Sequence, residues 1–155
     1  MSRAFVRETE GGEAFEDLPD RTLSPHHLVT ANGLALMDES IESLKRSLES
    51  AKAADDKAEI ARLTRDLRYW SARRVSAELV PPPTDAAHVR FGARVTFERE
   101  DGKQQSYEIV GEDEADPTKG KLSYVSPLAQ ALLGKEIGDT IPVGSTSAEI
   151  IKIDI

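Results

Sequence analysis

Between Ala31 and Leu79 the apolar positions follow a helical rhythm. Leu34, Met37, Ile41, Leu44, Leu48 and Ala51 alternate spacings of three and four, the seam of a heptad repeat. Ile60, Leu63, Leu67 and Trp70 resume it, Arg74 breaks it and Ala77 restores it. A turn at Ala54 and Asp55 sets Leu48 opposite Ile60, Leu44 opposite Leu63, Ile41 opposite Leu67 and Met37 opposite Trp70. The pattern therefore predicts an antiparallel two-helix coiled-coil hairpin over residues 28–80, with Thr30 as its first N-cap. No Gly or Pro lies between Leu34 and Leu79, so the turn must be written by Asp55 and Asp56, residues disfavoured inside helices and favoured at their N-termini. Asp56 and Glu59 have the spacing of a capping box. Arms of about 22 residues would each rise roughly 33 Å.

Pro81-Pro82-Pro83 cannot continue a helix, and residues 81–87 read as a short stiff linker. Beyond it the period changes to two: Val89, Phe91, Ala93, Val95 and Phe97 alternate with polar residues or Gly92, a strand pattern. Asp101-Gly102 marks a hairpin turn and Ser106 to Val110 the returning strand. An acidic loop from Glu112 to Pro117 leads to a strand at Leu122 to Val125. Ser126 to Gly134 is a short helix, with Ser as N-cap, Pro at the first helical position and Gly just past the end. Strands at Ile141 to Val143 and Ala148 to Ile155 follow, the latter with Ile151, Ile153 and Ile155 expected on one face. Residues 88–155 thus predict a small antiparallel β-sheet domain with one short helix, and the whole chain an α+β protein.

Residues 1–27 have neither period and too little apolar content to offset their ordering entropy, and are expected to form a flexible arm. His26 and His27 stand side by side without the further ligands that a zinc site requires.

Charge narrows the functions open to such a chain. The net charge is -8 over 155 residues, and its distribution is -3 in residues 1–30, zero in 31–80 and -5 in 81–155. That balance argues against a sequence-independent grip on nucleic acid phosphates. Arg62, Arg65, Arg68, Arg73 and Arg74 face Asp38, Glu39 and Glu42 along the expected rod, a salt-bridge-laced surface or a basic stripe for an RNA or an acidic protein. The absence of cysteine fits a reducing compartment, and no run reaches the ~18 apolar residues of a membrane span, so a soluble cytoplasmic protein is expected.

Val89-Arg90-Phe91-Gly92-Ala93-Arg94-Val95, then Tyr107 to Asp116, then Ser126 to Asp139 resemble, in order and spacing, the C-terminal domain of the bacterial Gre transcript elongation and cleavage factors. Thr30-Ala31-Asn32-Gly33-Leu34 resembles the opening of that family's first helix. The resemblance implies an FKBP-like C-terminal domain that docks on RNA polymerase at the rim of its secondary channel, while the coiled coil enters the channel. It implies that the loop and helix at Ser126 and Pro127 face the polymerase, with Asp113 and Asp116 of the acidic loop nearby. It further implies a tip whose carboxylates help hold a magnesium ion in the polymerase's own active site, so that backtracked RNA is cleaved. Here Asp55, Asp56 and Glu59 are the candidates, although the family's Asp-Leu-x-Glu-Asn-Ala-Glu-Tyr tip is absent and the arms are shorter.

On this reading the chain has no enzymatic activity and no cofactor of its own, is a monomer, and meets nascent RNA only indirectly. A shorter rod could instead occupy the channel and compete with cleavage factors. Two other classes remain to be weighed. A prolyl isomerase needs an apolar pocket lined by aromatics, and this domain offers only Phe91, Phe97, Tyr107 and Tyr124. A dimerising hairpin would use Tyr69 and Trp70.

Overall fold

A computed structural model describes residues 27–155; residues 1–26 of the expected N-terminal arm, His26 included, lie outside them. The arm's last residue, His27, is buried and not part of a flexible segment. The described residues form two compact units, one comprising 37–76 and the other 27–36 with 77–155. The expected boundaries at 28 and 81 therefore fall within the second unit. That unit takes in the first turn of the hairpin and the strands on either side of it.

The first unit carries the hairpin. Helix α1 spans Ala31–Ala53 and helix α2 spans Lys57–Ser76. Met37, Ala51 and Leu63 of the heptad seam are buried and its other members half-buried, as a two-helix seam requires. Arg74 donates to Asp38 at 2.7 Å across the pair. Arg73, expected on the basic face, is buried at 1% exposure instead. The link is as short as the sequence suggests. The amide of Asp56 donates to Ala51 O and that of Asp55 to Lys52 O, both at 3.1 Å, which is the paired bonding of a Schellman turn. Asp55 occupies its left-handed position at φ 52°.

The second unit is built on a five-stranded sheet. A two-residue strand β1, Leu28–Val29, pairs in parallel with β2, Glu78–Leu79, so the residues before α1 and after α2 are hydrogen-bonded neighbours. The main sheet contains β3 (Arg94–Arg99), β4 (Gln104–Val110), β5 (Lys121–Ser123), β6 (Thr140–Val143) and β7 (Thr146–Asp154), in the order β5-β4-β3-β7-β6. Helix α3, Pro127–Leu132, buries Ala129 and Leu132 in the core with Val95, Phe97, Ile109 and Ile141.

Three expectations require correction. The sheet is not wholly antiparallel, because the acidic loop and a 3-10 turn at Pro117–Lys119 bring the chain back beside β4 in the same direction, making β5 parallel. Val89, Phe91 and Ala93 are buried as their alternation predicts, yet the segment is not a strand. Its backbone bonds go to separate places: Val89 pairs with Gly134 and Lys135, Gly92 N donates to Ile109 O, and Ala93 N closes a turn on Arg90 O. Finally, Ile151, Ile153 and Ile155 do not share a face. The register between β3 and β7 shifts between Thr96 and Phe97, which pair with Lys152 and Ile150, leaving Ile151 as the extra residue of a bulge. Ile150 and Ile153 consequently point into the core while Ile151 and Ile155 are exposed.

Glu114 ties the start of α1 to the loop after β4. Its side chain is 4% exposed. It accepts from the Thr30 hydroxyl at 2.6 Å, Asn32 Nδ2 at 2.9 Å and Lys121 Nζ at 3.5 Å. Thr30 Oγ1 in turn accepts from Gly33 N at 2.9 Å, completing the N-cap. Gly33 lets this approach be close, since a Cβ there would lie 2.7 Å from Glu114 Oε2 and the carboxylate would have to shift.

Removing either partner leaves buried polar atoms unmatched. Glu114→Ala and Thr30→Ala should each lower stability by about 1–3 kcal/mol, and the double variant should lose less than their sum. Urea unfolding of the three variants measures this, and strict additivity would refute the coupling. The bulge makes a second prediction for the same assay. Ile150→Ala should cost about 2–5 kcal/mol and Ile151→Ala within about 0.5 kcal/mol; equal losses would contradict the register.

Candidate functional site: the hairpin tip and the Ser126 loop

The tip collects the three carboxylates that sequence singles out, but gives each different work. Asp56 is the N-cap of α2, its Oδ1 accepting from Glu59 N at 3.2 Å. The reciprocal half of a capping box is not made, because Glu59 turns along the helix to Arg62. Arg62 Nε donates to Glu59 Oε2 at 3.0 Å and Nη2 donates to Oε1, a two-pronged contact, while Nη1 donates to Asp66 at 3.4 Å. The hydrogen bond from Arg62, more than the charge beside it, holds the Glu59 carboxyl below the usual carboxylate range and pushes the guanidinium further up. Asp55 keeps an exposed side chain at the crest of the turn. Among the described residues no three His, Cys, Asp or Glu side chains are arranged to hold a metal ion.

The second candidate surface begins α3. Ser126 Oγ accepts from Ala129 N at 3.3 Å, its amide donates to Ser123 O at 3.0 Å, and Gln130 Nε2 donates to Tyr124 O at 2.6 Å. Those bonds fix a loop whose outer side is open: Pro127 is exposed, and Val125 is 45% exposed despite being apolar. A rigid backbone presenting apolar atoms to water suits a protein contact.

The acidic loop lies in the same unit, and Asp113, Glu114 and Asp116 find partners within it. Asp113 Oδ2 is 3.4 Å from Nε2 of His27, a side chain only 1% exposed. Asp116 caps the 3-10 turn, accepting from the Thr118 hydroxyl at 2.5 Å and from Thr118 N at 3.1 Å. The hydroxyl contact, with lesser help from the backbone amides and Lys119, lowers the Asp116 pKa.

The aromatics bear on the isomerase alternative. Phe91 and Tyr124 meet edge to face at 5.5 Å, Phe97 stacks with Tyr107 at 6.0 Å, and three of these four rings are buried in the core. Phe91, Phe97 and Tyr124 fill the core, and Tyr107 packs against it half-buried. Tyr69 and Trp70, the candidate dimer contacts, form an edge-to-face pair at 5.3 Å and are half-buried.

Sequence reasoning placed Arg62 on the arginine-rich face without pairing it with Glu59, and did not single out Glu114. Arg62 was legible, standing three residues after Glu59 and four before Asp66 on one helix. Glu114 was not, because two of its three partners, Thr30 and Asn32, lie more than 80 residues away.

Comparison with known proteins agrees with this architecture. The family described as "Transcription elongation factor, GreA/GreB, C-term" matches residues 84–155. Transcription elongation factor GreA of Ruegeria pomeroyi is 32% identical over 149 residues, covering 81% of this chain and 96% of that protein. Its counterpart from Hyphomonas neptunium is 51% identical over 70 residues, which cover 42% of this chain and 45% of the relative. Among solved structures, the GreA factor homolog 1 (Gfh1) protein of Thermus thermophilus is similar at a TM-score of 0.42 and 19% identity, covering 84% of this chain and 99% of that one. The match to Ruegeria GreA runs through hairpin and sheet domain alike, and on it the chain belongs to the GreA/GreB family of transcription elongation factors, regulators that are not themselves enzymes.

Proposed function

We propose that this chain is a cytoplasmic regulator of elongation that binds RNA polymerase through its C-terminal unit and places its hairpin in the polymerase's secondary channel. The observation that carries this reading is the Ser126 loop. Val125 and Pro127 project apolar surface from a turn held by hydrogen bonds on both sides, so little ordering remains to be done on binding. Asp113 and Asp116 contribute by shaping the neighbouring loop, since their carboxylates already have partners in the same unit. The hairpin suits the second task because its seam makes a self-contained rod with a tip of three residues. Nascent RNA is then met only inside the polymerase.

The docking half can be tested without assuming what the tip does. Pro127→Glu keeps a residue tolerated at the first helical position and adds charge to the exposed surface. Its affinity for core RNA polymerase, measured by fluorescence anisotropy, should fall at least about tenfold, as expected when a buried apolar anchor is replaced by a charge. The melting temperature should be unchanged. Wild-type affinity in the variant would remove the Ser126 loop from the interface.

A further inference from the structure

A magnesium ion asks for oxygen ligands free to converge in near-octahedral geometry, about 2.0–2.1 Å from the metal. The tip of this hairpin holds three carboxylates and does not meet that demand. One oxygen of Asp56 is engaged by the amide of Glu59, and both oxygens of Glu59 are engaged by Arg62. Only Asp55 has both oxygens uncommitted among the contacts described for the tip, and a single carboxylate is a poor ligand set for a hard cation. The metal implied by the family resemblance therefore does not fit the residues present.

We propose that Arg62 is the residue that silences this tip toward divalent cations, so that the protein acts in the polymerase channel by occupancy and not by delivering a metal. The proposal rests on the docking reading for its setting, but its core concerns the chain's own side chains. Arg62 sits one turn into α2, where its planar guanidinium spans Glu59 on one side and Asp66 on the other. It puts a fixed positive charge beside the oxygens that a cation would need. A guanidinium cannot be deprotonated in a protein, so no physiological change of pH removes it. Lysine in its place would give a flexible point charge that yields more easily to a metal.

An ordinary helix-surface ion pair has the same geometry, and the test must separate the two. The full chain, wild type and Arg62→Gln, is titrated with Mn2+ as a paramagnetic probe while amide resonances are followed. In wild type, broadening at Asp55, Asp56 and Glu59 should begin at the same Mn2+ concentration as at the acidic turn Glu98 to Asp101. In Arg62→Gln, tip broadening should begin at a several-fold lower concentration, and the Glu59 carboxyl should titrate in the ordinary carboxylate range. Selective tip broadening in wild type, or identical titrations for the two proteins, would overturn the proposal.

RNA cleavage by stalled, backtracked polymerase gives the second arm, run with a direct binding measurement. Wild type should bind without accelerating cleavage. Arg62→Gln should accelerate it, and Asp55→Ala/Asp56→Ala added to Arg62→Gln should abolish the gain. Binding accompanied by wild-type acceleration overturns the silencing and leaves the docking reading intact. Failure of wild type to bind overturns the docking reading, and the Mn2+ titration then decides the silencing alone.

Discussion

The buried carboxylate of Glu114 is the constraint on which the second unit's arrangement depends. A carboxyl group almost out of water is tolerable only when its oxygens are matched, and here the matching groups come from the start of α1 and from β5. Thr30 and Asn32 bring the beginning of α1, and Lys121 brings the beginning of β5. Satisfying one acid therefore ties the start of a helix to the return of a loop and sets the carboxylate close against Gly33. The same economy governs Gly111, where a Cβ would lie 2.7 Å from the carbonyl of Leu28 and would push β1 away.

A different tension rules the hairpin. Two helices joined within three residues leave several backbone groups without helical partners, and those residues must supply caps before they can supply anything else. Asp56 closes the end of one helix and opens the next, accepting from one amide while donating its own. Asp55 adopts a left-handed conformation that glycine would adopt with less strain. The acidity of the tip is consequently part of its architecture, and carboxylates in such a place should be credited with chemistry only after their structural duties are counted.

Local patterns carried most of the fold. The heptad seam located both helices and the turn between them, and the Ser-Pro-to-Gly signals located α3, because each depends on residues a few positions apart. Failures occurred where a distant partner decided the outcome. The alternation from Val89 to Phe97 gave the right buried side chains but only the second half of the strand, since its first half divides its backbone bonds between two other segments. The exposure of Ile151 could not be read from the alternation of Ile151, Ile153 and Ile155, because a bulge is set by pairing with β3. The partners of the acidic loop escaped the sequence for the same reason: His27 and Thr30 precede it by more than 80 residues.

The parallel pairing of β1 with β2 has a topological consequence. Val29 lies beside Leu79, so the strands that precede and follow the hairpin are neighbours within the sheet-bearing unit, and the chain between them is an insertion with neighbouring ends. An insertion of that kind is free to change length. Adding or removing matched heptads from both arms preserves the seam and leaves the two anchoring strands untouched. The reach of the rod is thus a variable that mutation can adjust without renegotiating the fold of the domain that carries it.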